Sequence, residues 1–204
     1  MTGKQRREQL IAVGRELFAE KGFAGSSVEE IAARAGVSKP VVYEHFGGKE
    51  GLYAVVVDRE MNCLEQLITQ SLSTGGFKDR IEQATLALLT YIEDHTFGFR
   101  ILARDASPGG DHNYSTLLND AVAQVSHILA AAFETKGFNK EHAVIYGQAL
   151  VGAVSMTAQW WLDVRQPVKE EMAAHIVNLC WNGMAGLNKS PSLSPESIRQ
   201  VSGT

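Results

Sequence analysis

Cysteine is nearly absent from this chain: Cys63 and Cys180 are the only two in 204 residues. Two thiols exclude a disulfide framework, and their separation fits no zinc-ligand spacing. Both sit in helix-like patterns, so a buried free thiol is expected for each. Proline is scarce too, with five in all, and strand-like alternation is rare. The fold class expected is all-α. There is no general basic excess, because the formal net charge is −4. Signatures of catalysis are also missing: no Gly-x-Ser-x-Gly elbow, His-Glu-x-x-His helix, phosphate loop or dinucleotide fingerprint occurs. The six histidines are scattered, and the helix-spaced Glu171 and His175 read as a surface or interface pair. The chain is read as a non-enzyme with no metal site and no cofactor. No secretory signal is visible, since the apolar run from Leu10 to Val13 is short and closed by Arg15. A cytoplasmic protein is expected.

What is present is an ordinary globular composition, 45% apolar and 21% charged, enough for one or two domains with a sizeable core. Charge is unevenly spread. Residues 1–50 hold eight Lys/Arg against seven Glu, a balance of +1, which leaves −5 for the rest. A weakly basic head on an acidic body suits nucleic-acid binding by the head alone. One uncharged stretch, Ala143 to Leu162, has the twenty residues of a membrane span. Gln148, Ser155, Thr157 and Gln159 interrupt it, and a helix apolar all round also serves a core or a subunit interface. It is read as a buried helix, with no membrane partner.

Helix signals are frequent. Leu10, Val13, Leu17 and Phe18 recur at three- and four-residue steps, predicting a helix from about Lys4 to Lys21 that Gly22 stops. Ser27-Val28-Glu29-Glu30 reads as a capping box, its hydroxyl on the amide three residues on and Glu30 reaching back. That second helix ends at Gly36. Ser38 caps a third, which stops at Gly47-Gly48. Pro40 is its second residue, where a missing N–H costs little. A long helix is predicted from about Lys49 to Ser73, then others near 78–104, 114–136, 139–165 and 168–187. The turn-rich "SPGGDHN" and "KGFN", and Gln166-Pro167, separate them. The Ser/Pro-rich end, 189–204, is expected to be disordered.

Two short helices joined by "AGVS" form a helix-turn-helix. On the wheel of the second, Val42, His45 and Phe46 share one side, with Ile31, Ala32, Ala35 and Val37 as packing partners. Lys39, Pro40, Tyr43 and Glu44 point away. An outward cation, small ring and phenol are poorly explained by a core and suit a DNA groove. Lys39 can donate to guanine O6 and N7, Pro40 and Val41 can touch thymine methyls, and Tyr43 can donate to a phosphate. Lys49 joins a charge to the free amides of a helix start, a phosphate clamp. Ser27 and Ser38 are caps first and phosphate contacts second. His45 is read as a packed histidine before a DNA donor, and Glu44 as pointing to solvent. A helical adaptor that binds protein is the alternative from another class, but it leaves the outward Lys39 and Tyr43 unexplained.

The run from Leu17 to Tyr53, "LFAEKGFAGSSVEEIAARAGVSKPVVYEHFGGKEGLY", closely resembles the DNA-binding head of TetR-family transcriptional regulators. The resemblance implies an all-helical homodimer on a palindromic operator. It places a DNA-binding head at 1–50 with its recognition helix at 38–46, and an effector-binding and dimerisation body at 51–188. Lys39, Pro40 and Tyr43 then stand where members of the family meet DNA, with Pro40 replacing the small residue often found there. Repression is the ordinary mode. The body, through "ALLTYIEDHTFGFRILARD" and "ALVGAVSMTAQWWLDVRQP" among other stretches, is similar to actinobacterial regulators of fatty-acid-synthase genes, the FasR type. That likeness implies sensing of a long-chain acyl-CoA and control of lipid synthesis. An unrelated small apolar effector is the alternative.

Within the body, the helix Ala143–Leu162 and its successor Val168–Leu187 would pair with their twofold mates in a four-helix dimer interface. Ala149, Gly152, Ala153, Ser155, Val177 and Trp181 are its candidates. Such a dimer spaces two recognition helices for major grooves about 34–36 Å apart, or a multiple of that. Candidate effector-pocket residues are Leu88, Ile92, Phe97, Phe99, Ile101, Leu102, Leu118, Val122, Val125, Leu129, Met156 and Trp160, most of them expected to be plain core. Arg100 and Arg104 either hold an anionic head group or pair with Asp94, Asp105 or another acid. A tilt of Lys49–Ser73 on ligand binding would carry the signal to DNA.

Overall fold

The computed structural model describes residues 1–104 and 113–196. Most of "SPGGDHN", Asp105 and residues 197–204 of the tail lie outside the described residues. Among those described, every regular element is helical: α1 (Gly3–Lys21), α2 (Val28–Ala35), α3 (Lys39–Phe46), α4 (Lys49–Ser73), α5 (Phe77–Asp94), α6 (Thr96–Ala103), α7 (Tyr114–Lys136), α8 (Ala143–Val164) and α9 (Lys169–Ala185). A single 3-10 turn, Lys140–His142, precedes α8.

The predicted helix 78–104 is in fact two. At His95 the backbone leaves helical geometry, with φ −120° and ψ 41°. The carbonyl of Ile92 is served from outside the helix: the Thr96 hydroxyl donates to it at 2.9 Å and the Arg165 guanidinium at 3.0 Å. With its last turn satisfied this way, α5 has no need to continue.

The first three helices are assembled by their apolar stripes. Leu10, Leu17 and Phe18 of α1, Ile31 of α2 and Val42 of α3 are fully buried, each worth about 1.5–3 kcal/mol on leaving water. They close onto Leu52 and Val56 of α4. Gly14 lets α1 come close, since a Cβ there would stand 2.8 Å from Leu52 Cδ2. Further along α4, Met61 and Leu64 enter the same apolar cluster as Leu89, Tyr91 and Ile92 of α5 and Phe99 of α6. One core therefore runs unbroken from the amino-terminal helices into the body.

In the body α5 packs against both α4 and α9, and α7 lies along α8. A second small core of Leu129, Phe133 and Ala143 closes one end of the α7–α8 pair. Of the two free cysteines, Cys180 is buried and Cys63 half-buried. Among the described residues no helix is long and apolar enough to cross a membrane.

The link from α3 to α4 depends on backbone freedom. Gly47 and Gly48 have φ of 72° and 137°, values that side chains disfavour. Gly51 follows so closely that a Cβ would lie 1.9 Å from the Phe46 carbonyl oxygen. Gly51→Ala is therefore expected to cost about 1–3 kcal/mol through forced displacement of α3 from α4, measured as a lower urea midpoint at unchanged slope.

Candidate nucleic-acid interface and ligand cavity

The turn between α2 and α3 aims the third helix. Gly36 adopts the left-handed conformation, and the amides of Gly36 and Val37 return to the carbonyls of Ala33 and Ala32 at 3.2 and 3.0 Å. Gln9 of α1 adds a side-chain bond to the Ala35 carbonyl at 3.1 Å. The caps differ from expectation. Ser27 Oγ accepts from the Glu30 amide at 3.2 Å, but the Glu30 carboxylate turns to Lys21 and Arg34 and does not complete the box. Ser38 occupies the N-cap position of α3 without a side-chain cap bond, leaving its hydroxyl exposed.

Val42 is buried beneath α3, while Lys39, Pro40, Tyr43 and Glu44 are exposed. The Tyr43 ring is 54% exposed, and nothing in the packing of the head requires it there. Val41 and His45 are half-buried at the edges of this face. The Lys39 ammonium is bonded to Glu29 of α2, which holds that carboxyl below its usual range.

Lys49 departs from the expected phosphate clamp. Its ammonium donates to the carbonyls of Phe23 and Ser26, both at 3.0 Å, and lies 4.2 Å from the Phe23 ring centroid. Within the α1–α2 loop the Phe23 carbonyl also accepts from the Ser26 amide at 3.3 Å, and a cation from α4 adds a donor to it and to the Ser26 carbonyl. Lys49 fastens the loop that carries α2.

A second clasp joins the head to the body. Glu60 of α4 is buried, accepting from Arg15 of α1 at 3.1 Å and from the Tyr91 hydroxyl at 2.5 Å. Burial first, and the Glu60 carboxylate second, push the Tyr91 phenol above its ordinary value, so it stays a donor. His95 stacks on Tyr91 at 4.9 Å. Gly98 of α6 closes over the carboxylate: a Cβ there would sit 1.9 Å from Glu60 Oε2.

Between α4, α5, α7 and α8 lies an apolar pocket that is open at its mouth. Leu88, Leu118 and Val125 line it, joined by Ile68 and Leu72 from the end of α4. Other expected lining residues are elsewhere. Ile92, Phe99, Ile101 and Leu102 are buried in the main core, Val122 is buried on α7 outside it, and Leu129 belongs to the second core. Phe97 faces outward, as do Met156 and Trp160, which are 64% and 54% exposed. Arg100 lies 3.6 Å from Asp163, and Arg104 donates to the Ala19 carbonyl at 2.7 Å. Neither is on the cavity wall. Arg80 and Thr85, which the sequence reading passed over, are on it. A lone polar residue within the stripe Phe77, Ile81, Leu88 was the available signal.

On the opposite side of α8, Ile145, Ala149, Met156 and Trp160 form an exposed row. Gly152 lies within it, and a Cβ there would meet nothing within the protomer. On α9, Leu179 is also exposed, at 71%. Ser155 and Val177 are buried inside the protomer and Ala153 packs partly on its core, because an α-helix turns each successive residue by about 100°. These three are not on the open face, and Trp181 is half-buried in a groove with Lys78, Glu82 and Leu86 of α5.

A helix-turn-helix mounted on a larger helical body defines the class: a DNA-binding transcriptional regulator. The family model described as "Bacterial regulatory proteins, tetR family" matches residues 10–56, and "Tetracyclin repressor-like, C-terminal domain" matches residues 77–183. The chain belongs to the TetR family. It is 27% identical, over 89% of its length and 84% of the relative's, to the HTH-type transcriptional activator FasR of Mycolicibacterium smegmatis. The fold is shared with a TetR-like regulator from Rhodococcus, with TM-score 0.69 and 22% identity over 89% of this chain and 97% of that one. It is shared too with AibR, solved with isovaleryl coenzyme A and operator DNA, with TM-score 0.69 and 17% identity over 85% of this chain and 97% of that one.

The geometry around Lys49 separates structure from DNA contact. Lys49→Met, which keeps the stem and removes the donor, is expected to lose about 1–3 kcal/mol of stability by taking the ammonium from the Ser26 and Phe23 carbonyls, seen in urea unfolding without DNA present.

Proposed function

We propose that the protein is a homodimer that binds a palindromic operator through α3 and responds to a long-chain acyl-CoA in the body cavity, controlling lipid-synthesis genes. One observation carries this reading: α4 supports the recognition helix at its start and forms the cavity wall with Ile68 and Leu72 at its end. A ligand that favours one tilt of α4 would move the two α3 helices of a dimer relative to each other. Only differential affinity for the two arrangements can do so. The resemblance to FasR and the coenzyme A thioester bound by AibR support an acyl effector. Because the relative is named an activator, repression is not carried over.

In this reading residues 1–50 form the DNA head and 51–188 the effector and dimer body. Lys39, Pro40, Val41 and Tyr43 face the groove, Ser27 and Ser38 approach phosphates, and His45 lies at the edge. Lys39 must exchange Glu29 for DNA, which two exposed partners permit. Lys39→Ala is expected to weaken operator binding about tenfold and lower the salt slope by about one, with Tyr43→Phe weaker than wild type at all salts. Fluorescence anisotropy on promoter fragments checks both, and a wild-type chain indifferent to every fragment would end the reading. Mass spectrometry of small molecules retained through purification tests the effector: acyl-CoA or fatty acid supports it, and an aromatic drug overturns it.

The exposed row on α8, with Leu179 of α9, is the proposed twofold interface. Gly152→Arg should yield folded monomers by light scattering that no longer shift operator DNA. A dimeric variant that still shifts it would remove the assignment.

A further inference from the structure

The first turns of α2 and α3 meet across the turn that joins them, and an acid and a base stand at the meeting point. Glu29 is the second residue of α2 and Lys39 the first of α3. The Glu29 carboxylate accepts from the Lys39 ammonium. Glu30, its neighbour in sequence, turns the other way to Lys21 and Arg34, so of the two acids it is Glu29 that stands beside the exposed face of α3. The pair is not needed to hold the helices together. Ile31 and Val42 are buried in the core they share, the amides of Gly36 and Val37 close the turn, and Gln9 bonds the Ala35 carbonyl. With the Lys39 and Glu29 side chains 52% and 59% exposed, the ion pair contributes little to stability.

On DNA the same carboxylate acquires a consequence. Any acceptor that Lys39 reaches lies one ammonium away from Glu29. A phosphate offers acceptors only, so turning to one leaves Glu29 bare among like charges. A G·C pair offers both kinds of group in the major groove: guanine O6 and N7 accept, and the cytosine N4 amino group donates. There the ion pair can open with each end gaining a new partner, Lys39 on guanine and Glu29 on cytosine. We propose that Glu29 is a specificity-determining residue, which turns Lys39 from a general phosphate contact into one selective for G·C. This rests on the reading of α3 as the helix that enters the groove, and adds a reader from α2. An acid in the first turn of a helix also favours the helix N-terminus, but that effect is indifferent to DNA sequence.

The test is selection of duplexes from a randomised pool by the full chain, followed by fluorescence anisotropy on the selected duplex and on an unrelated one of equal length. Wild type should select a G·C position in each half-site. Glu29→Ala should bind the unrelated duplex at least about threefold tighter at equal salt, and should weaken the preference at that position at least about fivefold. Glu29→Gln should admit A·T there, because a carboxamide suits adenine N6 and N7. Lys39→Ala should relax the same position or the one beside it. A purely structural Glu29 would instead lower the urea midpoint on substitution and leave the selected sequence unchanged. Undiminished preference in Glu29→Ala, equal affinity of the two proteins for the unrelated duplex, or a wild-type half-site without G·C would overturn the proposal and leave the regulator reading standing. Enrichment of no sequence by the wild-type chain would remove both.

Discussion

Everything in this molecule hangs on helix α4 being buried along its length by two different sets of neighbours. Leu52 and Val56 complete the packing of α1, α2 and α3, and Met61 and Leu64 complete that of α5 and α6. A helix held this way cannot shift at one end without disturbing the other, because interiors are close-packed. Glu60, where the two halves meet, adds a polar constraint. A buried carboxylate must keep its donors, so Arg15 of the head and Tyr91 of the body are bound to one residue. The glycine at 98 admits α6 into the same contact. Head and body are thus tied together by shared burial and by one carboxylate.

Charge in the head is used in two distinct ways. Lys49 and Arg15 are turned inward, where one donates to two loop carbonyls and the other to a buried carboxylate. Lys39 sits on the exposed face with an equally exposed acid as partner. An interaction of the first kind is costly to lose in the folded protein, whereas one of the second kind exchanges with solvent and ligands. The net balance of the head is therefore a poor guide to how many cations reach DNA.

The body shows a similar division of polar groups. Arg100 and Arg104, the guanidiniums closest in sequence to the apolar run, are occupied by Asp163 and the end of α1. Arg80, in the first turn of an amphipathic helix, looks from sequence like part of a solvated face, yet its Nε is buried.

Sequence alone determined the all-α class, the helix ends set by Gly22, Gly36 and the Gly47-Gly48 pair, and the exposed side of α3. These features are local: caps, left-handed glycines and a short amphipathic wheel act within a few residues. It misread 78–104 as one helix, because the break at His95 is stabilised by Arg165, far along the chain. It also exchanged sides on α8, placing Met156 and Trp160 inside and Ser155 outside. A helix apolar all round has no inward direction of its own, and only its packing partners choose one. The cavity and the Lys49 and Glu60 contacts were likewise decided by tertiary structure, since each is made of residues that only folding brings together.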